Sequence, residues 1–176
     1  MLRFWKRFGQ DASGLSAIEF AFIAPLMVTT YFGVSEIGNY ILADRKVTAV
    51  AATAADLVTQ GSQVTDAGMA DIMASLSVII QPFNPADAQI RITSVTADAL
   101  GVTKVAWSDA LHTSPRAVGS NITIPVGLVP PNQSIVLAEI TFTYTTLVGM
   151  FLTSGITVSD NFYQKPRKTI AVQRVP

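Results

Sequence analysis

The chain has 176 residues, of which 49% are hydrophobic and 14% charged. That charge is well below the roughly 25% usual in soluble domains, and the length suits one membrane helix plus one domain of just over a hundred residues. Formal net charge is zero, so no basic field draws nucleic acid. There is no cysteine, which excludes disulfides, thiolate metal sites and a cysteine nucleophile.

The charge balance hides an asymmetry. Residues 1–14 carry Arg3, Lys6 and Arg7 against Asp11, a net of +2, and residues 15–176 are therefore net −2. From residue 15 to 43 the only charges are Glu19 and Glu36. As a helix this stretch is roughly 43 Å long, enough for a hydrocarbon core of about 30 Å. Arg3, Lys6 and Arg7 precede it, so the N-terminus is expected in the cytoplasm with the rest exported. A cleaved secretory signal fits less well: the apolar stretch exceeds a usual signal core, Glu19 interrupts it, and no small-x-small site follows. Pro25 removes a backbone hydrogen bond inside the helix and predicts either a bent anchor or a hinge.

The helix is expected to continue over residues 44–60. Val47, Val50, Ala51, Ala54, Leu57 and Val58 share one face, and Gly61-Ser62 reads as a stop. An exported head then occupies 61–176. Thr65 or Asp66 caps a second helix whose apolar face is Met69, Ile72, Met73, Leu76 and Ile79 or Ile80, ended by Pro82 and Pro85. Residues 89–96 and 103–108 read as a β-hairpin turning at Leu100-Gly101. Proline and glycine make 112–133 a loop. Residues 135–145 alternate as a strand, with Val136, Ala138, Ile140, Phe142 and Tyr144 on one face. An apolar link over 147–152 leads to a last strand pair at 156–163 and 169–175. The fold class is α+β: a long N-terminal helix joined to a head with a second helix and a mostly antiparallel sheet.

No catalytic constellation stands out. His112 is the single histidine, at a loop edge, and reads as a surface residue; no nucleophile elbow, P-loop, dinucleotide turn or HExxH pair occurs. Asp87, Asp98 and Asp109 are assigned to hairpin ends. Lys165, Arg167, Lys168 and Arg174 read as charge guarding a strand edge, with contact to a neighbouring subunit as the alternative. Neither an enzyme nor a cofactor or metal is expected.

A carboxylate such as Glu19 near the start of a membrane helix needs a partner or a proton. Gly14 stands immediately before Leu15, and cutting there would free an amine one helical turn before Glu19. This leader, glycine and glutamate pattern resembles the class III signal sequences of type IV pilins and pseudopilins. More narrowly, residues 14–26 (GLSAIEFAFIAPL) resemble the TadE/TadG-like proteins of the tight-adherence (Flp) pilus system. Residues 138–144 are similar to that family's late aromatic strand, and Lys165-Pro166-Arg167 to its closing Arg-Pro-Arg. Phe20 stands where the major pilins usually have tyrosine, and the chain is much longer than they are, which points to a minor pilin.

The resemblance implies a pilin-like fold and cleavage between Gly14 and Leu15 by a prepilin peptidase. It implies roles in assembly for Glu19, Phe20 and Pro25, with Glu19 paired to the new amine of Leu15, its own or a neighbour's. The implied partners are that peptidase, other minor pilins and the major Flp pilin, the inner-membrane assembly platform and membrane lipid. The implied place is the bacterial inner membrane, with the head periplasmic or carried into an extracellular pilus. An uncleaved single-pass protein with a partner-binding periplasmic head is the alternative.

Overall fold

A run of residues with few helix breakers and no competing strand signal forms one continuous helix, α1 (Ser13–Gln60), of 48 residues. The computed structural model describes residues 13–146 and 155–176. Arg3, Lys6 and Arg7, and the apolar link at 147–152, lie outside the described residues. At 1.5 Å per residue, α1 is about 72 Å long. It runs unbroken through Pro25. Its two halves differ as the sequence predicts. Ala43, Val47, Val50, Ala51, Ala54, Ala55 and Val58 are fully buried, while residues 14–35 stay exposed or half-exposed. Burial begins at Glu36, seven residues before the predicted end of the membrane segment at 43.

After the stop at Gly61-Ser62 come β1 (Gln63–Val64) and α2 (Asp66–Ile79). Thr65 is the N-cap of α2, its hydroxyl accepting from the Gly68 N–H at 3.0 Å. Met69, Met73 and Leu76 form its buried stripe, extended by Ile80. A 3₁₀ turn (Pro85–Asp87) leads into β2 (Ala88–Ala97), followed by β3 (Thr103–Leu111), β4 (Ser134–Tyr144) and β5 (Ile156–Gln164). The four strands pair antiparallel in the order β3-β2-β4-β5. The β2–β3 turn is fixed by Asp98, whose Oδ1 accepts from the N–H groups of Leu100 and Val102, both at 2.9 Å. Gly101 supplies the positive φ of 80° that the turn requires.

The core lies between the sheet and the two helices. Val136, Ala138, Ile140, Phe142 and Tyr144, the predicted inner face of β4, are all buried, joined by Ile90 and Ile92 of β2. The alanines of α1 let the helix axis come close to this face. On the opposite face, Arg116 from the 112–133 loop reaches across the sheet to Glu139. The pair is bidentate, with Nη2–Oε1 at 2.7 Å and Nε–Oε2 at 3.1 Å.

The last predicted strand pair is only half right. β5 forms, but 169–175 does not pair with it. Instead β6 (Gln173–Arg174) lies parallel to β1, Gln63 opposite Gln173 and Val64 opposite Arg174. The tail turns away after Pro166, which lacks the N–H a strand would donate, and the Arg167 N–H bonds to the Thr59 carbonyl at the end of α1. Asp109 is also not a hairpin-end residue. It sits within β3 and pairs with Arg174, Nε to Oδ2 at 2.9 Å. Of the basic cluster, Arg174 and Arg167 are therefore internal ties, Arg167 to Asp56 of α1. His112 is exposed as expected, its Nδ1 2.9 Å from the Ala88 carbonyl oxygen.

Candidate functional site: the exposed half of the long helix

The sequence singles out residues on the first half of α1, and the fold leaves that half outside the head. Leu15 is 58% exposed and Phe20 67%, with Ile18, Phe22, Ile23, Leu26, Met27 and Val28 similarly open. Water does not tolerate so continuous an apolar surface on a monomer. The helix Gly14–Gln60 is long and apolar enough to cross a membrane. Among the described residues there is therefore one candidate membrane span, near the N-terminus.

Gly14, Leu15, Glu19, Phe20 and Pro25 all lie in this exposed part of the helix. Leu15 and Glu19 are four residues apart on unbroken helix, which places them one above the other on the same face. Gly14 has no structural constraint: a Cβ added there would meet nothing within 4 Å. An alanine would favour the helix by about 0.5–1 kcal/mol, so the fold gives no reason for a glycine at this position.

At the boundary with the head the environment changes abruptly. Glu36 is 3% exposed, although the sequence offered no role for it. It lies against the end of β4, close enough that its charge, after burial itself, raises the Tyr144 phenol above its ordinary value of 10.0. Tyr40, one turn further along α1, packs edge to face on Tyr144. The pattern of carboxylate and aromatics is visible in the sequence; their meeting is not, because it joins residues about a hundred positions apart.

Among the described residues no group of three or more His, Asp or Glu could hold a metal ion. Ion pairs elsewhere tie the head together. Arg174 reaches Asp109 and, at 2.6 Å, Asp66 at the start of α2, and Glu139 receives both Arg116 and Arg91, the latter at 3.5 Å. These carboxylates are occupied in holding strands and loops in place.

Comparison with known proteins supports the N-terminal reading. A protein-family model described as TadE-like protein matches residues 14–56, beginning at Gly14 and running to the last turns of α1. No curated protein and no solved structure matches the chain. The similarities noted at 138–144 and 165–167 fall outside the matched stretch. The TadE-like, pilus-associated kind is structural and non-enzymatic. The helix from Gly14 to Asp56 is thus TadE-like, and the chain is consistent with a TadE-like protein of the tight-adherence pilus system.

Proposed function

We propose that this chain is a minor pilin or pseudopilin of a tight-adherence type IV pilus, made as a membrane precursor and cut between Gly14 and Leu15 by a prepilin peptidase. The observation that carries the reading is the coincidence at Gly14. The family match starts there, and a side chain there would have free space. A glycine that the fold does not need is explained by close approach of another protein to its backbone.

Before cleavage, Arg3, Lys6 and Arg7 hold the N-terminus on the cytoplasmic side. The exposed part, residues 14–35, is 22 residues and about 33 Å, close to the hydrocarbon thickness. On this reading the span covers 15–35, shorter than the expected 15–43, and the head starts at the outer surface of the inner membrane. Cleavage removes the basic leader and creates the amine of Leu15 one turn from Glu19. In the membrane or in an assembly, that amine offsets the cost of the Glu19 carboxylate. Such a buried pair sets helix register more than it adds stability. Phe20 and Pro25 follow on the same exposed helix, available to neighbouring pilin helices. The partners are the peptidase, other minor pilins, the major Flp pilin and the inner-membrane platform.

Co-expression with the cognate peptidase tests this. The wild-type chain loses its first 14 residues, and Gly14→Ala keeps them while the head melts as before. If Gly14→Ala changes neither size nor piliation, the chain is instead an uncleaved single-pass membrane protein with a periplasmic binding head.

A further inference from the structure

The head has a cleft at its membrane-proximal end. β4 runs back along α1: Tyr144 meets Tyr40, Asp160, in the strand beside Ile140, accepts from the Thr48 hydroxyl at 2.6 Å, and Arg167 reaches Thr59. The end of β4, the connection after α2 and the start of β2 therefore all lie on the side from which the exposed helix emerges. Between them is a cleft of about 270 Å³ whose lining includes Asn39, Phe83, Asn84, Asp87, Phe142 and Tyr144.

Its depth follows from the helix. With residues 15–35 crossing the hydrocarbon, residues 36–40 cover a further ~7 Å, the thickness of one headgroup layer. Asn39 lines the cleft from within that layer. The lining has one carboxylate, Asp87, and no lysine or arginine. Asp87 is exposed and has no ion-pair partner among the described residues. Phe83 packs against Phe142 at 5.6 Å and against Tyr144 at 5.9 Å between ring centroids, giving an aromatic wall. The Asn84 Oδ1 accepts from the Ala86 N–H at 3.2 Å, which leaves its amide N–H groups as donors.

We infer that this cleft binds the ammonium-bearing headgroup of a zwitterionic phospholipid of the phosphatidylethanolamine class. The ammonium sits beside the exposed Asp87 carboxylate and the half-buried Phe83 ring, with the buried Phe142 and Tyr144 behind that ring. The phosphate takes the amide donors of Asn39 and Asn84. An anionic headgroup lacks a cation for Asp87 and is disfavoured. The lipid would fix the height and tilt of the head above the bilayer. The inference rests on the membrane span assigned under Proposed function.

The test uses the full chain reconstituted into vesicles of equal phosphatidylethanolamine and phosphatidylglycerol. Flotation first reports insertion, and native mass spectrometry of the detergent-extracted protein then reports the retained lipid. The expected result is phosphatidylethanolamine retained about threefold over phosphatidylglycerol. Asp87→Asn should bring the ratio towards one, and Asn39→Ala should lower retention of both lipids while keeping their ratio, each with the melting of the head unchanged. Equal retention by a wild-type chain that floats overturns the inference and leaves the span standing; failure to float overturns the span itself. Equal retention with a carbodiimide cross-link from Asp87 to a lysine of a second copy overturns the lipid and gives the cleft to a neighbouring subunit.

Discussion

Tyr40 and Tyr144 meet edge to face, their ring centroids 6.2 Å apart and their planes at 64°. The contact joins the long helix to the last residue of β4 and closes the core on the side where the exposed helix leaves the head. Tyr144 is 3% exposed and also touches Phe83. Tyr144→Ala should therefore cost about 3–5 kcal/mol, as for other large buried aromatics. The urea midpoint of the folded head reads this directly. A midpoint within error of wild type would show that the helix is not clamped there.

The same residue gives the head an alkaline limit. Burial, and then the nearby Glu36 charge, raise the Tyr144 phenol above its ordinary 10.0. The folded state then holds this proton more tightly than the unfolded chain. The corresponding stability is complete below about pH 10 and falls as pH rises through the folded value. Tyr144→Phe should flatten the fall in melting temperature above pH 10 relative to wild type. Parallel pH profiles for the two proteins would contradict this.

Arg174 anchors the C-terminal tail. Its guanidinium holds Asp109 at 2.9 Å and Asp66 at 2.6 Å and donates to the Val175 carbonyl at 2.7 Å. The Asp109 hydrogen bond, followed by that to Asp66, outweighs the opposing effect of burial and raises its pKa, so it stays charged throughout. Arg174→Met should cost about 1–2 kcal/mol, because the groups are partly exposed. Asp66→Asn should cost under about 0.5 kcal/mol, since the Asp66 side chain is 72% exposed. Thermal melts of both variants check the order, and an equal loss would place the energy in the wrong arm.

Trp107 ties the same tail from inside. Its Nε1 donates to the Val172 carbonyl oxygen at 2.8 Å, and both residues are buried. Trp107→Phe leaves that carbonyl unpaired and should cost about 1–3 kcal/mol. Hydrogen exchange should speed up first at Gln173 and Val175, whose N–H groups bond to Ser62 and Val64. Unchanged exchange there would show that the tail is held by other means.

Elements whose cause is local were legible in the residues. The apolar run and periodic face of α1, the Thr65 cap and the period-two face of β4 each carry their signal within a dozen positions. The tail was not legible. Its β-like composition suggested a partner in β5, but Pro166 and a parallel pairing of two residues with β1, about 110 positions earlier, leave no local period to read. Asp109 looked like a turn residue because its partner, Arg174, is 65 positions away. Glu36 looked like a second charge within a membrane span, and only the approach of Tyr144 shows that the head already covers it. The motif from Gly14 to Pro25 is contiguous in the sequence, and it falls on the exposed half of α1. The cleft at Asp87 was not legible, because three separated segments build it.

The central claim is that the chain is used only after it is cut at Gly14. Mass spectrometry of the N-terminal peptide, on protein from piliated native cells, measures this most directly. The account predicts a mature chain beginning at Leu15, followed by Ser16, Ala17, Ile18 and Glu19. A chain that still begins at Met1 in cells bearing assembled pili would contradict it.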